Sequence, residues 1–176
     1  RNEIVARNFI FRTREFEQME MQYFVHPSKD KENIELWKQK RFDFYLNQLG
    51  ISKSNLQFYQ HDDTELAHYA KDAYDIQYKF PFGWGEIEGI HNRTDFDLKQ
   101  HEKISGKNMT YFDSANDKKY HPYIIETSAG LNRVFLMVLC NAYFEDTENN
   151  RVVLKLPFAL APNKAVICPL VKKDNL

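Results

Sequence analysis

The chain has 176 residues, a formal net charge of -1 at pH 7, and 43% hydrophobic and 15% aromatic side chains. That length suits one domain, or one domain with a piece of a second, and the composition fits neither a disordered chain nor a membrane protein. No run approaches the roughly 20 apolar residues of a membrane span, and the near-neutral balance confines any nucleic-acid binding to a local patch.

The sequence opens on Arg1 rather than Met, with no visible signal peptide, and reads as a fragment of a longer protein. Residues 8–25, NFIFRTREFEQMEMQYFV, are long enough for an extended strand or a hairpin arm. Alternation of side chains puts Phe9, Phe11, Thr13, Glu15, Glu17, Met19 and Met21 on one face. The other carries Ile10, Arg12, Arg14, Phe16, Gln18, Glu20 and Phe24. A solvated sheet face explains the mixed charge of that second row, but explains the interleaved Phe16 and Phe24 less well.

Residues 28–50 predict a helix, with Ile34, Trp37, Phe42, Tyr45, Leu46 and Leu49 at helical spacing and Gly50 placed to end it. It carries no recognisable chemistry and reads as scaffold. Residues 55–60 suggest a short strand, and Asp63 or Thr64 would cap a short helix reaching about Ala70. His61 and His68 are seven apart, the wrong spacing for neighbouring metal ligands on one helix. Ile76, Tyr78 and Phe80 alternate with Asp75, Gln77 and Lys79 in a half-buried strand ended by Pro81.

The segment WGEIEGI, read as a strand, places Trp84, Glu86, Glu88 and Ile90 on one face and Ile87 on the other. Two carboxylates so close repel each other; a magnesium ion or a bound ammonium group would relieve that, and so would plain hydration. Residues 98–120 are polar and predict a surface hairpin or insertion. A strand over 123–127 then leads into ETSAGLNRVFLMVL, residues 126–139. From Leu131 the apolar positions Leu131, Val134, Phe135, Val138, Leu139 and Ala142 follow helical spacing.

The entrance to that helix is unusually polar. A helix N-terminus offers free N–H groups and partial positive charge, Gly130 permits close approach to the backbone, and Arg133 adds a full charge, a combination suited to a polyphosphate. Glu126 and Ser128 would share a strand face and suit an ammonium group. The plainer alternative has Ser128 capping the helix and Arg133 paired with Glu126. The two cysteines, Cys140 in the helix and Cys168, form no C-x-x-C pair; a cysteine zinc site is disfavoured and a reduced, cytoplasmic setting favoured. Residues 145–151 are the best linker candidate, and VVLKLPFALAPNKAVICPL would start a second unit with a buried strand near residues 164–169.

There is no G-x-x-x-x-G-K-[ST] loop and no G-x-G-x-x-G fingerprint, so a nucleotide would have to be held by arginines and a sheet. RNEIVARNFIFRTREFEQMEMQYF resembles the second signature motif of class II aminoacyl-tRNA synthetases, with Arg1-Asn2-Glu3 as its arginine-x-glutamate core, and ETSAGLNRVFLMVL resembles the third. Together, REFEQME, KFPFGWGEIEGI and NRTDFDL resemble a glycyl-tRNA synthetase of the homodimeric type. LKLPFALAPNKAVICPL is similar to the opening strand of its anticodon-binding domain. The resemblance covers nearly the whole chain; the first class II motif would lie before Arg1 and the bulk of the anticodon domain beyond Leu176.

The resemblance implies an α+β fold, a mainly antiparallel sheet flanked by helices. Residues 1–147 would be a partial catalytic domain and residues 148–176 the start of the anticodon-binding domain. It implies ATP-dependent attachment of glycine to tRNA(Gly) through a glycyl-adenylate, with Mg2+, in a homodimer. Arg1 would meet the α-phosphate and Glu3 the adenine amino group, with Asn2 beside them. The turn from Glu3 to Phe9 would face the acceptor end of tRNA. Phe11, Arg12, Thr13, Arg14, Glu15 and Phe16 would line the ATP site, Phe16 stacking on adenine and bordering the glycine site. Glu17, Gln18, Met19 and Glu20 would meet glycine, as would Glu126, Thr127, Ser128, Ala129 and Gly130. Glu86 and Ile87 would contact ATP, Glu86 through magnesium. Gly130, Leu131, Asn132 and Arg133 would bind ATP, Arg133 at the γ-phosphate. Arg1, Glu86 and Arg133 are the residues the chemistry would need. The rival readings are a non-catalytic relative that binds nucleic acid, which has no use for Arg1, Glu3, Glu86 and Arg133 together, and a class II ligase of other specificity.

Overall fold

A computed structural model of the chain describes residues 1–62 and 70–170. The short helix expected from Asp63 or Thr64, and His68 with it, lie outside those residues. The centre is a five-stranded antiparallel sheet in the order β1-β7-β4-β3-β2. Its strands are β1 (Gln18–Val25), β2 (Leu56–Gln60), β3 (Asp72–Phe80), β4 (Gly83–Thr94) and β7 (Tyr123–Gly130). Among the described residues three α-helices accompany it, α1 (Asp30–Asp43), α2 (Phe96–Ser105) and α3 (Leu131–Ala142), with small hairpins β5 (Tyr111–Asp113)–β6 (Lys118–Tyr120) and β8 (Tyr143–Asp146)–β9 (Arg151–Leu154).

The apolar spacing of residues 28–50 produces α1, extended by a wider π-type turn over Phe44–Gln48. It buries Ile34, Phe42, Tyr45 and Leu49 against Ile76, Tyr78 and Phe80 of β3, Ile87 and Ile90 of β4, Ile125 of β7 and Met137 of α3. Each such side chain removed from water stabilises the fold by roughly 1.5 to 3 kcal/mol, which makes this contact the support on which the sheet rests. Helix α3 forms where expected, but its most buried residues are Met137 and Ala142 while Leu131 and Phe135 remain exposed.

Four expectations need correction. Residues 8–25 are neither one strand nor one hairpin arm: they hold a turn, the second arm of a hairpin and then β1. Residues 1–16 make an irregular hairpin, joined by the bridges Asn2–Glu15 and Arg7–Arg12 and by backbone hydrogen bonds from Glu3 to Arg14 and from Phe16 to Arg1. Asn8 and Phe9 turn it with φ of 54° and 55°, left-handed conformations that reverse the chain and end the alternation. The second correction concerns β4. Glu88 pairs with Ile76 but Glu86 pairs with Gln77, so Ile87 is an extra residue in a β-bulge. A bulge exchanges the faces of the residues on either side, so Glu86 and Glu88 point to opposite sides of the sheet.

Third, residues 96–105, overlapping the supposed insertion of residues 98–120, are the helix α2; only residues 111–120 form the expected hairpin. Fourth, residues 145–151, expected as a linker, are the turn of the β8–β9 hairpin with the strand ends beside it, and residues 164–169 form no strand, with Val166 and Ile167 exposed. The strand leading to α3 also runs further than residue 127, to Gly130.

Candidate active site

Register places the site. Antiparallel pairing sets Gln18 opposite Gly130, Glu20 opposite Ser128 and Gln22 opposite Glu126. On the other side of β7, Gly89 stands opposite Ser128 and His91 opposite Glu126. One face of three strands therefore carries Gln18, Glu20, Gln22, Glu126, Ser128, Gly130, Gly89 and His91. The hairpin of residues 1–16 and the N-terminus of α3 wall that face at one end. A cleft of about 250 Å³ opens there, lined by Arg1, Glu3, Arg12, Phe16, Glu86 and Arg133 among others; Phe11, Thr13, Glu17, Gln18, Ser128, Gly130 and Asn132 also border it.

Residues from both alternation rows line this cleft, because a 3-10 turn over Phe9–Phe11 breaks the extended chain and its alternation. Met19, Glu20 and Leu131 border an adjoining recess, and Asn2 and Glu15 another. Arg14 lines none of these; its carbonyl serves the hairpin, accepting from the Glu3 N–H. Ile87, Thr127 and Ala129 are buried among the core residues, pointing away from the cleft.

The cations of the cleft are each held by a carboxylate. Arg1 pairs with Glu20, and Arg12 with Glu3 at 3.1 Å. Arg133 donates from Nη1 to Glu86 Oε2 at 3.0 Å and to the Glu86 carbonyl at 3.1 Å, and from Nε to the Phe11 carbonyl at 3.1 Å. Its guanidinium also lies 4.4 Å from the Phe11 ring centre. Phe11 can reach that place because residue 85 is glycine: a Cβ there would come within 2.9 Å of the Phe11 ring. Gly130 is the N-cap of α3 and no side chain caps the helix, so its first turn faces the cleft with N–H groups available. Leu131 alone uses its N–H on the Glu17 carbonyl, at 3.0 Å.

The plainer reading of the opening of α3 fails on both counts: Ser128 does not cap the helix, and Arg133 pairs with Glu86 rather than Glu126. Ser128 instead hydrogen-bonds the Gln18 amide. Glu126 is 7% exposed and does not itself border the cleft. Gln22 donates to its Oε2 at 3.1 Å, Arg93 to its Oε1 at 3.4 Å, and His91 Nδ1 lies 3.6 Å from Oε1. Burial alone would raise its carboxyl, but His91 and Arg93 outweigh that and hold it below the ordinary carboxylate range. Arg93 thus supplies a cationic partner for Glu126 from within the chain. Arg93, anchored on Asp97 through two hydrogen bonds, His91 and Gln22 carried no assigned role in the sequence reading. For Arg93 the signal was present, in the NRTDFDL segment.

Among the described residues no three metal-ligating side chains cluster. Glu86, with 46% of its side chain exposed in the cleft, fits the single carboxylate that magnesium takes alongside substrate phosphates.

No family model matches the sequence. Over its whole length the chain is 56% identical to the glycine–tRNA ligase of Borrelia hermsii, 55% to that of Chlorobaculum tepidum and 48% to that of Corynebacterium glutamicum. It spans 41%, 37% and 40% of those proteins, about two fifths of their length. In fold, it superposes on seryl-tRNA synthetase from Pyrococcus horikoshii, solved with ATP, with a TM-score of 0.65 at 19% identity, covering 81% of this chain and 30% of that one. Prolyl-tRNA synthetase from Giardia lamblia, solved with prolyl-adenylate, gives 0.59 at 17% identity, covering 76% and 25%. The chain is therefore a glycine–tRNA ligase-like sequence, similar to those ligases throughout the part of them that it spans, folded as a class II aminoacyl-tRNA synthetase sheet.

Proposed function

We propose that the protein attaches glycine to its cognate tRNA through a glycyl-adenylate, and that the cleft between the hairpin, β1, β7 and α3 forms the adenylate. The observation that carries this reading is the meeting of Arg1, Arg12, Arg133 and an uncapped helix N-terminus with Gln18, Ser128 and buried Glu126 on one sheet face. One end suits a triphosphate and the other an ammonium group. No serine–histidine or cysteine nucleophile is required, because both steps run on alignment and charge stabilisation.

In the first step the glycine carboxylate attacks the α-phosphorus of ATP, giving glycyl-adenylate and pyrophosphate. Phe16 would stack on adenine, Glu3 would accept from its amino group and Arg1 would meet the α-phosphate, while Arg133 and the α3 N–H groups would take the outer phosphates. Each arginine would exchange its carboxylate partner for phosphate oxygens. Those partners are a third to nearly half exposed, and an exposed ion pair is worth only about 0 to 1 kcal/mol, so the exchange is cheap. Glu86, released by Arg133, would hold magnesium, which would supply positive charge to offset that of the phosphates. In the second step the terminal ribose hydroxyl of tRNA takes the glycyl group. The hairpin tip, where Ile4, Val5 and Phe9 are exposed, would face the acceptor end. The same reading has the protein acting as a cytoplasmic homodimer, with residues 1–147 catalytic and residues 148–176 opening the anticodon-binding domain. Among the described residues no helix is long and apolar enough to cross a membrane.

The test is ATP–pyrophosphate exchange by the full-length protein. Exchange that depends on glycine and fails with alanine or serine supports the reading; no exchange returns the chain to the class of nucleic-acid-binding relatives, and equal exchange with a larger amino acid to another specificity.

A further inference from the structure

The structure assigns a role to a residue outside the set above: His91 is a positioning residue for Glu126, and Gly89 is the space that lets it be one. The inference rests on the reading of Glu126 as the carboxylate that receives the glycine ammonium.

Three neighbours fix the Glu126 carboxylate. Gln22 of β1 holds Oε2 at 3.1 Å, while Arg93 and His91 of β4 approach Oε1 at 3.4 Å and 3.6 Å. An ionised carboxylate has about four acceptor sites, so this set orients the group and leaves room for one more donor. Arg93 is itself anchored on Asp97, at 2.7 Å and 3.1 Å. His91 differs: its Nδ1 is buried and makes no hydrogen bond among the described residues, and the Glu126 oxygen is its ion-pairing neighbour. At 3.6 Å the contact is too long for a hydrogen bond and would become one with a small rotation of either side chain.

What aims the ring is its packing. A Cβ on Gly89 would lie 2.9 Å from His91 Cε1, 3.2 Å from Nε2 and 3.8 Å from Asp75 Oδ1. The imidazole therefore occupies the volume a side chain at residue 89 would fill, with Asp75 of β3 beside it and Glu126 of β7 beyond. Any residue but glycine there would push the ring off its line to Glu126. The sequence G-I-H is thus a device in which one strand position is emptied so that the next on the same face can lie down across it and steer a carboxylate on the neighbouring strand.

The test uses steady-state exchange by the full-length protein, with glycine and ATP varied separately. His91→Ala should raise the glycine KM about tenfold and leave the ATP KM within twofold of wild type. His91→Asn, whose amide nitrogen falls near the position of Nδ1, should restore most of the loss, whereas His91→Gln, whose amide falls near Nε2, should not. Gly89→Ala should copy His91→Ala. The Asn and Gln variants are similar in size and polarity, so their comparison decides even where an alanine variant folds poorly. A wild-type glycine KM in His91→Gln, or equal behaviour of Asn and Gln, would overturn the inference, as would a parallel rise in both KM values. An inactive wild type would instead overturn the reading of function on which it stands.

Discussion

Glu86 and Glu88 sit two residues apart on β4 and meet opposite environments. Glu88 is 1% exposed on the helix-covered face, gripped by Arg41 at 2.6 Å and 3.0 Å and by the Tyr45 hydroxyl at 2.6 Å. Glu86 stands half exposed in the cleft, paired with Arg133 and free to trade it. The extra residue Ile87 separates the two fates. The same contrast runs through the molecule. Under the sheet, Asp30 is buried with Lys71 at 2.7 Å and Asn92 at 3.0 Å. In the cleft, by contrast, the carboxylates themselves stay partly in water: Glu20, Glu3 and Glu86, the partners of Arg1, Arg12 and Arg133, keep 31%, 35% and 46% of their side chains exposed. Closed pairs hold the fold; under the proposed function, open pairs keep cations in place for a ligand.

Mutations on the two sides should therefore separate stability from activity. The largest effect belongs to Glu88→Ala. Removing one member of a buried pair costs about 3 to 5 kcal/mol. Arg41 keeps a quarter of its side chain in water, which favours the lower end, and the stranded Tyr45 hydroxyl adds about 1 kcal/mol. Denaturant titration should show a loss of about 4 kcal/mol in total. A midpoint near wild type would place Glu88 among the exchangeable pairs.

Arg133→Ala should do the reverse. Loss of a charge-assisted contact to phosphate in the transition state costs about 3 kcal/mol, near a hundredfold in exchange rate, with little change in the unfolding midpoint. Unaltered exchange would make Arg133 a structural residue. Glu126→Gln comes next, at about 2 kcal/mol for a hydrogen bond to a charged group, read as a higher glycine KM with ATP affinity preserved.

The same variant tests pH linkage. Glu126 is held below its usual 4.5 in the folded state, so its contribution to stability is present above that value and is lost as pH falls through the lower folded one. Asp75 has the opposite sign, since burial and Glu86 raise its carboxyl despite His61. Glu126→Gln should accordingly flatten the acid limb of the stability curve. Ser128→Ala should be the mildest, about 1 kcal/mol for a neutral hydrogen bond and visible only in the glycine KM.

The parts of this contrast that were legible in the sequence are those governed by regular periods. Ile76, Tyr78 and Phe80 announced β3, and the run from Leu131 announced α3 immediately after Gly130. The motif segments grouped the candidate site residues, and Arg1, Glu3, Phe16, Gln18, Ser128, Gly130 and Arg133 do line one cleft. What escaped were single-residue events. One bulge at Ile87 leaves composition untouched while sending Glu88 to the other face. Two left-handed residues, Asn8 and Phe9, fold a supposed strand into a hairpin, and Phe9 is not a residue type that advertises such a turn. Partners across strands, such as His91 and Arg93 for Glu126, depend on register, which a sequence read strand by strand does not state.

The central claim, that the open face selects glycine through Glu126, is tested most directly by a crystal structure of the full-length protein with a non-hydrolysable glycyl-adenylate analogue. The account predicts the glycyl nitrogen within about 3.2 Å of a Glu126 oxygen, with His91, Arg93 and Gln22 still around the carboxylate. A glycyl nitrogen held elsewhere, with Glu126 turned from the ligand, would contradict it.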